Sequence, residues 1–273
     1  MNLGAAYFRA DGDAFAPTPL AQGPWGQTIS GNVLGGLLGF VIDRVAGDPQ
    51  MQPARLTVDL FRPAALEPVT VRTEVIRSGK RIKVVDAQAF QRGTPVARAS
   101  TVFLRRGEGS PDDIWTSEVT IPDPPADDRR DDRPMHIVAH GAGSPSSDLS
   151  AWAHTGPKHA WIRNTAPVVD GEPMTPFIRA AMAGDVVSSL THFGPGGLQY
   201  INADYTLTLS RLPVGPDIGL TALTHYSSAG VATGTATLFD LDGPIGSGMA
   251  TAVLSAGFSP PPGHFPDTAP YSR

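Results

Sequence analysis

Asp185 is the acidic residue with the most telling setting. No other carboxylate occurs in the stretch Pro176–Leu190, and its neighbours are small residues and Val186-Val187. A carboxylate so placed is expected to be partly buried, with a raised pKa. Held within hydrogen-bond reach, it can orient a water or take its proton. The competing role is a carboxylate on a helix surface or at a cap. A second group is Gly31, Asn32 and Gly35, at the start of another helical stretch. Free backbone N–H groups and the positive end of a helix dipole there can receive an oxyanion. The same glycines can instead serve close packing. Asn32 and Asn202 can each donate to a water or a carbonyl, although turns and caps are the commoner duty of asparagine. Thr251 alternates with apolar neighbours and can face a helix. Arg62 and Arg211 end strand-like runs, where they can meet phosphates or form surface ion pairs.

Other chemistries lack their residues. The chain has no cysteine, which removes disulfides, thiolate metal sites and a thiol nucleophile. Ser144 sits in HGAGSPSS, without the G-x-S-x-G spacing of a nucleophile elbow. The seven histidines show no H-E-x-x-H pattern, and His136 and His140 lie in an irregular stretch. Neither a P-loop nor G-x-G-x-x-G after a strand occurs. Asp240 and Asp242 flank a turn and are expected to shape it. We therefore expect no cofactor and no metal.

The elements that must hold these residues recur. Ser78–Leu104 and Ser228–Leu254 match without a gap at an offset of 150, each as strand, glycine-centred turn, strand. The turns are Arg92-Gly93 and Asp242-Gly243. Arg55–Arg62 and Ala203–Arg211 are equivalent upstream strands, followed by Val69–Ile76 and Ile218–Tyr226. Before them come two helices. Gly31–Val45 repeats Val33, Leu34, Leu37, Leu38, Val41 and Ile42 at helical spacing, and Pro176–Leu190 starts on a Thr175-Pro176 cap signal. An interior helical glycine costs about 1 kcal/mol, so Gly31, Gly35, Gly36 and Gly39 predict that something approaches the first helix closely, such as a sheet wrapped round it. Ala6–Arg9 and Ala160–Asn164 are the expected early strands.

We thus expect an α+β fold of two fused repeats, 1–109 and 151–258, each a central helix wrapped by an antiparallel sheet. Residues 110–150, with PDPPADDRRDDRP at their heart, are expected to be a surface linker with at most a short ordered stretch, and Pro122–Pro134 to be exposed. Residues 259–273 form a Pro-rich tail. Hydrophobic residues make up 41% of the chain, enough for a core, and a net charge of −5 argues against nucleic acid or an anionic membrane as partner. The start MNLGAAYFRADGDAF is not a signal peptide, and no apolar run is long enough to span a bilayer. A cytoplasmic protein is expected.

Two copies of strand, Gly/Ala-rich helix and four strands resemble the double hotdog of the acyl-CoA thioesterase II-like family. The resemblance is carried by Phe15-Ala16-Pro17, Gly23-Pro24-Trp25-Gly26, the helix opening Gly31-Asn32-Val33-Leu34-Gly35-Gly36, and Leu60-Phe61-Arg62-Pro63. Trp161-Ile162-Arg163 and Ala183-Gly184-Asp185 carry it in the second half. It implies hydrolysis of acyl-CoA to a carboxylic acid and coenzyme A, with water activated by a helical Asp, a strand Thr or Ser, and a Gln on the last strand. Asp185 fills the first place and Asn202 the second. Ala250 stands in the third, with Thr251 beside it. The reading is a thioester hydrolase using Asp185, Asn202 and Thr251, with Gly31, Asn32 and Gly35 on the substrate. Two alternatives stay open: a weak or inactive hotdog protein that binds acyl-CoA or an acyl chain, and a structural or interaction subunit. A homo-oligomer is compatible with each.

Overall fold

The computed structural model describes residues 6–46, 48–124 and 133–258. The heart of the expected linker, 125–132, and the tail, 259–273, lie outside them. The first half runs β1 (Phe8–Asp11), β2 (Ala14–Pro17), α1 (Gly31–Ala46), β3 (Met51–Leu60), β4 (Val69–Ser78), β5 (Ile82–Gln91) and β6 (Thr94–Arg105). Then comes β7 (Met135–His140), a strand inside the segment expected as linker. It pairs with β8 (His159–Asn164) along its whole length, from Met135 opposite Asn164 to His140 opposite His159. The second half continues with α2 (Pro176–His192), a short ribbon of β9 (Phe193–Gly194) and β10 (Gly197–Leu198), and β11 (Tyr200–Asn202). It ends with β12 (Asp204–Leu209), β13 (Asp217–Ser228), β14 (Val231–Asp240) and β15 (Gly243–Leu254).

Both helices form where the apolar spacing places them. Val33, Leu34, Leu37, Leu38 and Ile42 of α1 are buried, as are Phe177, Ile178, Ala181, Val187 and Leu190 of α2. The Thr175 hydroxyl accepts the Ile178 N–H at 3.3 Å, and Pro176 occupies the first turn, where its missing N–H costs nothing. The hydroxyl also donates to Asp43 Oδ2 at 2.8 Å, which ties the start of α2 to α1.

The strands join in one 13-stranded sheet ordered β1-β2-β4-β5-β6-β3-β12-β15-β14-β13-β8-β7, with β11 added to β15. Arg92-Gly93, between β5 and β6, and Ala229-Gly230, between β13 and β14, both have positive φ, the paired left-handed residues that match strand twist, whereas at the expected Asp242-Gly243 turn between β14 and β15 only Gly243 does. At the centre, β3 and β12 run antiparallel with Thr57 opposite Thr206. Their hydroxyls lie 2.9 Å apart, and the residues are 149 apart in sequence, the same offset that relates Arg62 to Arg211 in the equivalent strands. A pseudo-twofold axis therefore passes through this pair. The N-terminal segment crosses to the other half as well: Tyr7 and Phe8 donate N–H to Pro167 O and Val168 O at 3.1 and 2.8 Å.

What approaches α1 is mainly the other helix. A Cβ on Gly31 would stand 2.7 Å from Asp185 Oδ1, one on Gly36 2.7 Å from Met182 Cγ, and one on Gly39 3.1 Å from Ala181 Cβ. A Cβ on Gly35 would meet the Tyr205 hydroxyl, so β12 contributes there. The glycine stripe is the imprint of α2 and of one tyrosine, where the sequence suggested the sheet at large.

Candidate active site at the helix interface

Where α1 begins, the two halves leave a cleft. Its walls come from the loop before α1, the first turn of α1, the end of β3, β7, α2 from Asp185 to Ser189, and β10–β11. Asp185 is half-buried in the middle of α2 and lines the cleft. The Asn202 carboxamide donates to its Oδ1 at 2.8 Å. The Asn32 backbone N–H, at the start of α1, also donates to its carboxylate. A side chain at Gly31 would strike that carboxylate and displace it. The positive end of α1 is therefore capped by an acid from the other half.

Burial pushes the Asp185 carboxyl up to about 6, and the two hydrogen bonds pull the other way without winning. The group is thus charged at neutral pH yet ready to accept a proton, the property wanted of a general base. One turn along α2, Ser188 is buried and lines the cleft beside Ser189. Side chains three and four positions apart on a helix are neighbours, so this hydroxyl pair extends the polar floor from Asp185.

Four of the six expected residues, Asp185, Asn202, Gly31 and Asn32, meet here. Gly35 does not line the cleft: it sits a turn deeper, where the space of its missing side chain is filled by Tyr205. Thr251 does not reach it either. On β15 the inward parity belongs to Gly248, Ala250 and Ala252, and Thr251 stands exposed with Met249 and Val253. Its backbone N–H is held by Asp204 at 2.8 Å. Ala250, in the place of the family's Gln, is buried and brings no polar group. Of the two arginines, Arg62 lines the cleft, whereas Arg211 grips the buried Asp240 in a bidentate pair that includes a 2.6 Å bond.

Tyr205 was not singled out from sequence. It is fully buried, and its ring lies against Gly184 and Gly35, with the hydroxyl donating to Ala181 O at 2.8 Å. That carbonyl lies one helical turn before Asp185, so the tyrosine fixes the turn that presents the acid. The available signal was an aromatic residue at an inward position of β12, facing two helices that each carry a glycine at the same level. Ser188 had a signal too: it follows Asp185 at helical spacing on an otherwise apolar surface.

Among the described residues, no group of three or more His, Asp or Glu side chains is placed to hold a metal ion. No helix among them is long and apolar enough to cross a membrane.

Comparison with known proteins agrees with this architecture. Residues 21–104 match the acyl-CoA thioesterase N-terminal domain family. Among solved structures, the tesB protein of Mycobacterium avium subspecies paratuberculosis superposes with a TM-score of 0.66 at 14% identity, over 90% of this chain and 95% of that one. The acyl-CoA thioesterase II TesB2 of Mycobacterium marinum gives 0.60 at 17% identity, over 93% and 95%. A protein with the hot dog fold from Alicyclobacillus acidocaldarius gives 0.62 at 16%, over 91% and 96%. At such identities the likeness is one of fold, and that fold is the double hotdog. No curated protein matches the chain by sequence.

Proposed function

We propose that this chain, whose residues 21–104 match the acyl-CoA thioesterase N-terminal domain family and whose fold is shared with thioesterase II structures, belongs to the acyl-CoA thioesterase II-like family and hydrolyses an acyl-CoA thioester to a carboxylic acid and free coenzyme A, with Asp185 as the base. The observation that carries this reading is the composite acid. A carboxylate with its pKa near 6 lines a cleft between the halves, aimed by Asn202 and by the N-terminus of α1.

In this reading Asp185 takes a proton from water as the water oxygen attacks the thioester carbonyl carbon. The tetrahedral oxyanion collapses, the C–S bond breaks, and the proton passes from Asp185 to the departing thiolate. Asn202 and the Asn32 N–H keep one carboxylate geometry throughout and hold the charge when it forms. The Asn32 carboxamide, now 3.3 Å from Met135 Sδ, is the donor for the oxyanion, since exchanging a thioether for an anionic oxygen strengthens its bond. Arg62, at the cleft and exposed, meets coenzyme A phosphate. The hydroxyls of Ser188 and Ser189 orient water in place of the absent Gln.

Ala250 favours a second reading, a hotdog protein that binds acyl-CoA and turns it over slowly or not at all. Release of free thiol from a panel of acyl-CoAs separates the two. Turnover that falls by about 10²–10⁴-fold in Asp185→Asn, with unchanged circular dichroism, supports the hydrolase. Equal rates in both proteins remove Asp185 from the mechanism, and saturable binding with no turnover selects the second reading.

A further inference from the structure

We infer that the cleft selects an acyl group ending in an aromatic ring over a long straight chain, an inference that rests on the reading of this cleft as a thioester site. The chain is poor in aromatic residues, 7% of the total, yet Tyr7, Trp25, Trp152, Tyr200 and Phe258 all line this one cleft. They arrive from distant parts of the sequence: the N-terminal segment, the loop before α1, the stretch after β7, β11, and the segment after β15.

Three of them, Trp25, Phe258 and Trp152, join one edge-to-face series through Phe193. Trp25 and Phe258 have centroids 5.5 Å apart at 67°, Phe258 and Phe193 6.1 Å at 87°, and Phe193 and Trp152 6.0 Å at 71°. This series runs from the first half to the second, with Phe193 as the one link that does not line the cleft. Tyr200 lies against His192 and His225, at 5.7 and 5.9 Å. The deep rings are fixed in place. Trp152 is fully buried, with its indole N–H on His159 O at 3.0 Å, and the buried Tyr7 hydroxyl donates to Pro134 O at 3.2 Å. Aromatic rings prefer such edge-to-face contacts, each worth about 2- to 10-fold in affinity beyond plain burial. A flat ligand ring continues the series, and a flexible alkyl chain does not.

Size points the same way. The cleft holds about 170 Å³, and an apolar cavity of about 150 Å³ is enough to take up benzene. One ring and a short link to the carbonyl fit. A long chain has to trail out through the mouth, where its surface stays wet and its contribution to affinity is lost.

The test uses the full chain and two kinds of probe. The first is a pair of non-hydrolysable ketone analogues of coenzyme A, the phenacyl and the 2-oxodecyl thioethers, with binding read by calorimetry. The second is hydrolysis of benzoyl-, phenylacetyl-, octanoyl- and palmitoyl-CoA, read as free thiol. The expected result is binding of the phenacyl analogue at least about 10-fold tighter than the alkyl one, with the same order in kcat/KM. Trp25→Leu should remove most of that preference, read as the ratio of phenacyl to alkyl affinity within the variant, with folding checked by circular dichroism. Equal or tighter binding of the alkyl analogue by the wild type overturns the inference, whatever the variant does. If the wild type turns over octanoyl-CoA best, the hydrolase reading stands and the ring preference falls. If it prefers the phenacyl analogue but hydrolyses no thioester, the ring preference stands and the hydrolase reading falls.

Discussion

If Asp185 is the base, activity and stability must change in opposite directions over the same pH range. Its carboxyl has a pKa of about 6 in the folded protein, raised by burial, against about 4 in an unfolded chain. Between these values the folded state binds the proton and the unfolded state does not. Stability is therefore highest below pH 4 as far as this group is concerned, and falls as pH rises to 6. Two pH units at about 1.4 kcal/mol each make the loss about 3 kcal/mol. Activity runs the other way, because the base works only when ionised. Its kcat/KM should rise about tenfold per pH unit below 6 and level off above. Asp43, Asp48 and Asp240 have shifted carboxyls of their own, so the clean measurement is a difference. Urea unfolding of wild type and Asp185→Asn from pH 4 to 8 should show the variant gaining up to about 3 kcal/mol relative to wild type as pH rises. A stability difference that stays flat across pH 4–6, or a kcat/KM that does not bend near 6, would refute the assignment of a buried, functional carboxyl to Asp185.

Three further outcomes follow from the packing. Gly31→Ala places a methyl group 2.7 Å from Asp185 Oδ1 and should lower kcat by about 10- to 100-fold, the scale of a misplaced catalytic group, with little change in the unfolding midpoint. Tyr205→Phe removes only the bond to Ala181 O, a carbonyl that keeps its helical partner within α2, and should cost about 0.5–1.5 kcal/mol in urea unfolding. Asp240→Asn strips the charge partner of Arg211 and turns one of the two oxygens that accept the Val214 and Asp242 N–H groups into an NH2 donor. It should cost about 3–5 kcal/mol, while kcat at pH 7 holds.

The repeat, both helices and most strands were legible because each has a local period or a local stop signal. The glycine stripe on α1 was visible too, but its cause was not: nothing in the sequence says whether a sheet or a second helix lies across it. Asp185, Asn202, Gly31 and Asn32 could be picked out by residue type. Thr251 shows where such reading runs out. Its outer-face neighbours Met249 and Val253 are apolar and about half exposed, so alternation along β15 does not reveal which parity faces the core. β7 was obscured by its surroundings, a short strand just after the charged Pro-rich run. The aromatic lining was hidden for another reason. Its rings lie far apart in sequence, and only the closed fold brings them to one wall.

The β3–β12 seam at Thr57 and Thr206 has a bearing on dilution. The cleft borrows its carboxylate from one repeat and the helix end that receives it from the other. Were the repeats separate subunits, that arrangement would exist only while they stayed associated, and the fraction of working sites would fall with protein concentration. Here both repeats belong to one covalent chain and share a continuous backbone ladder across the seam. Their encounter is intramolecular, and its effective concentration is set by the chain rather than by the amount of protein present. Each molecule carries its composite site alone, however thinly the protein is spread.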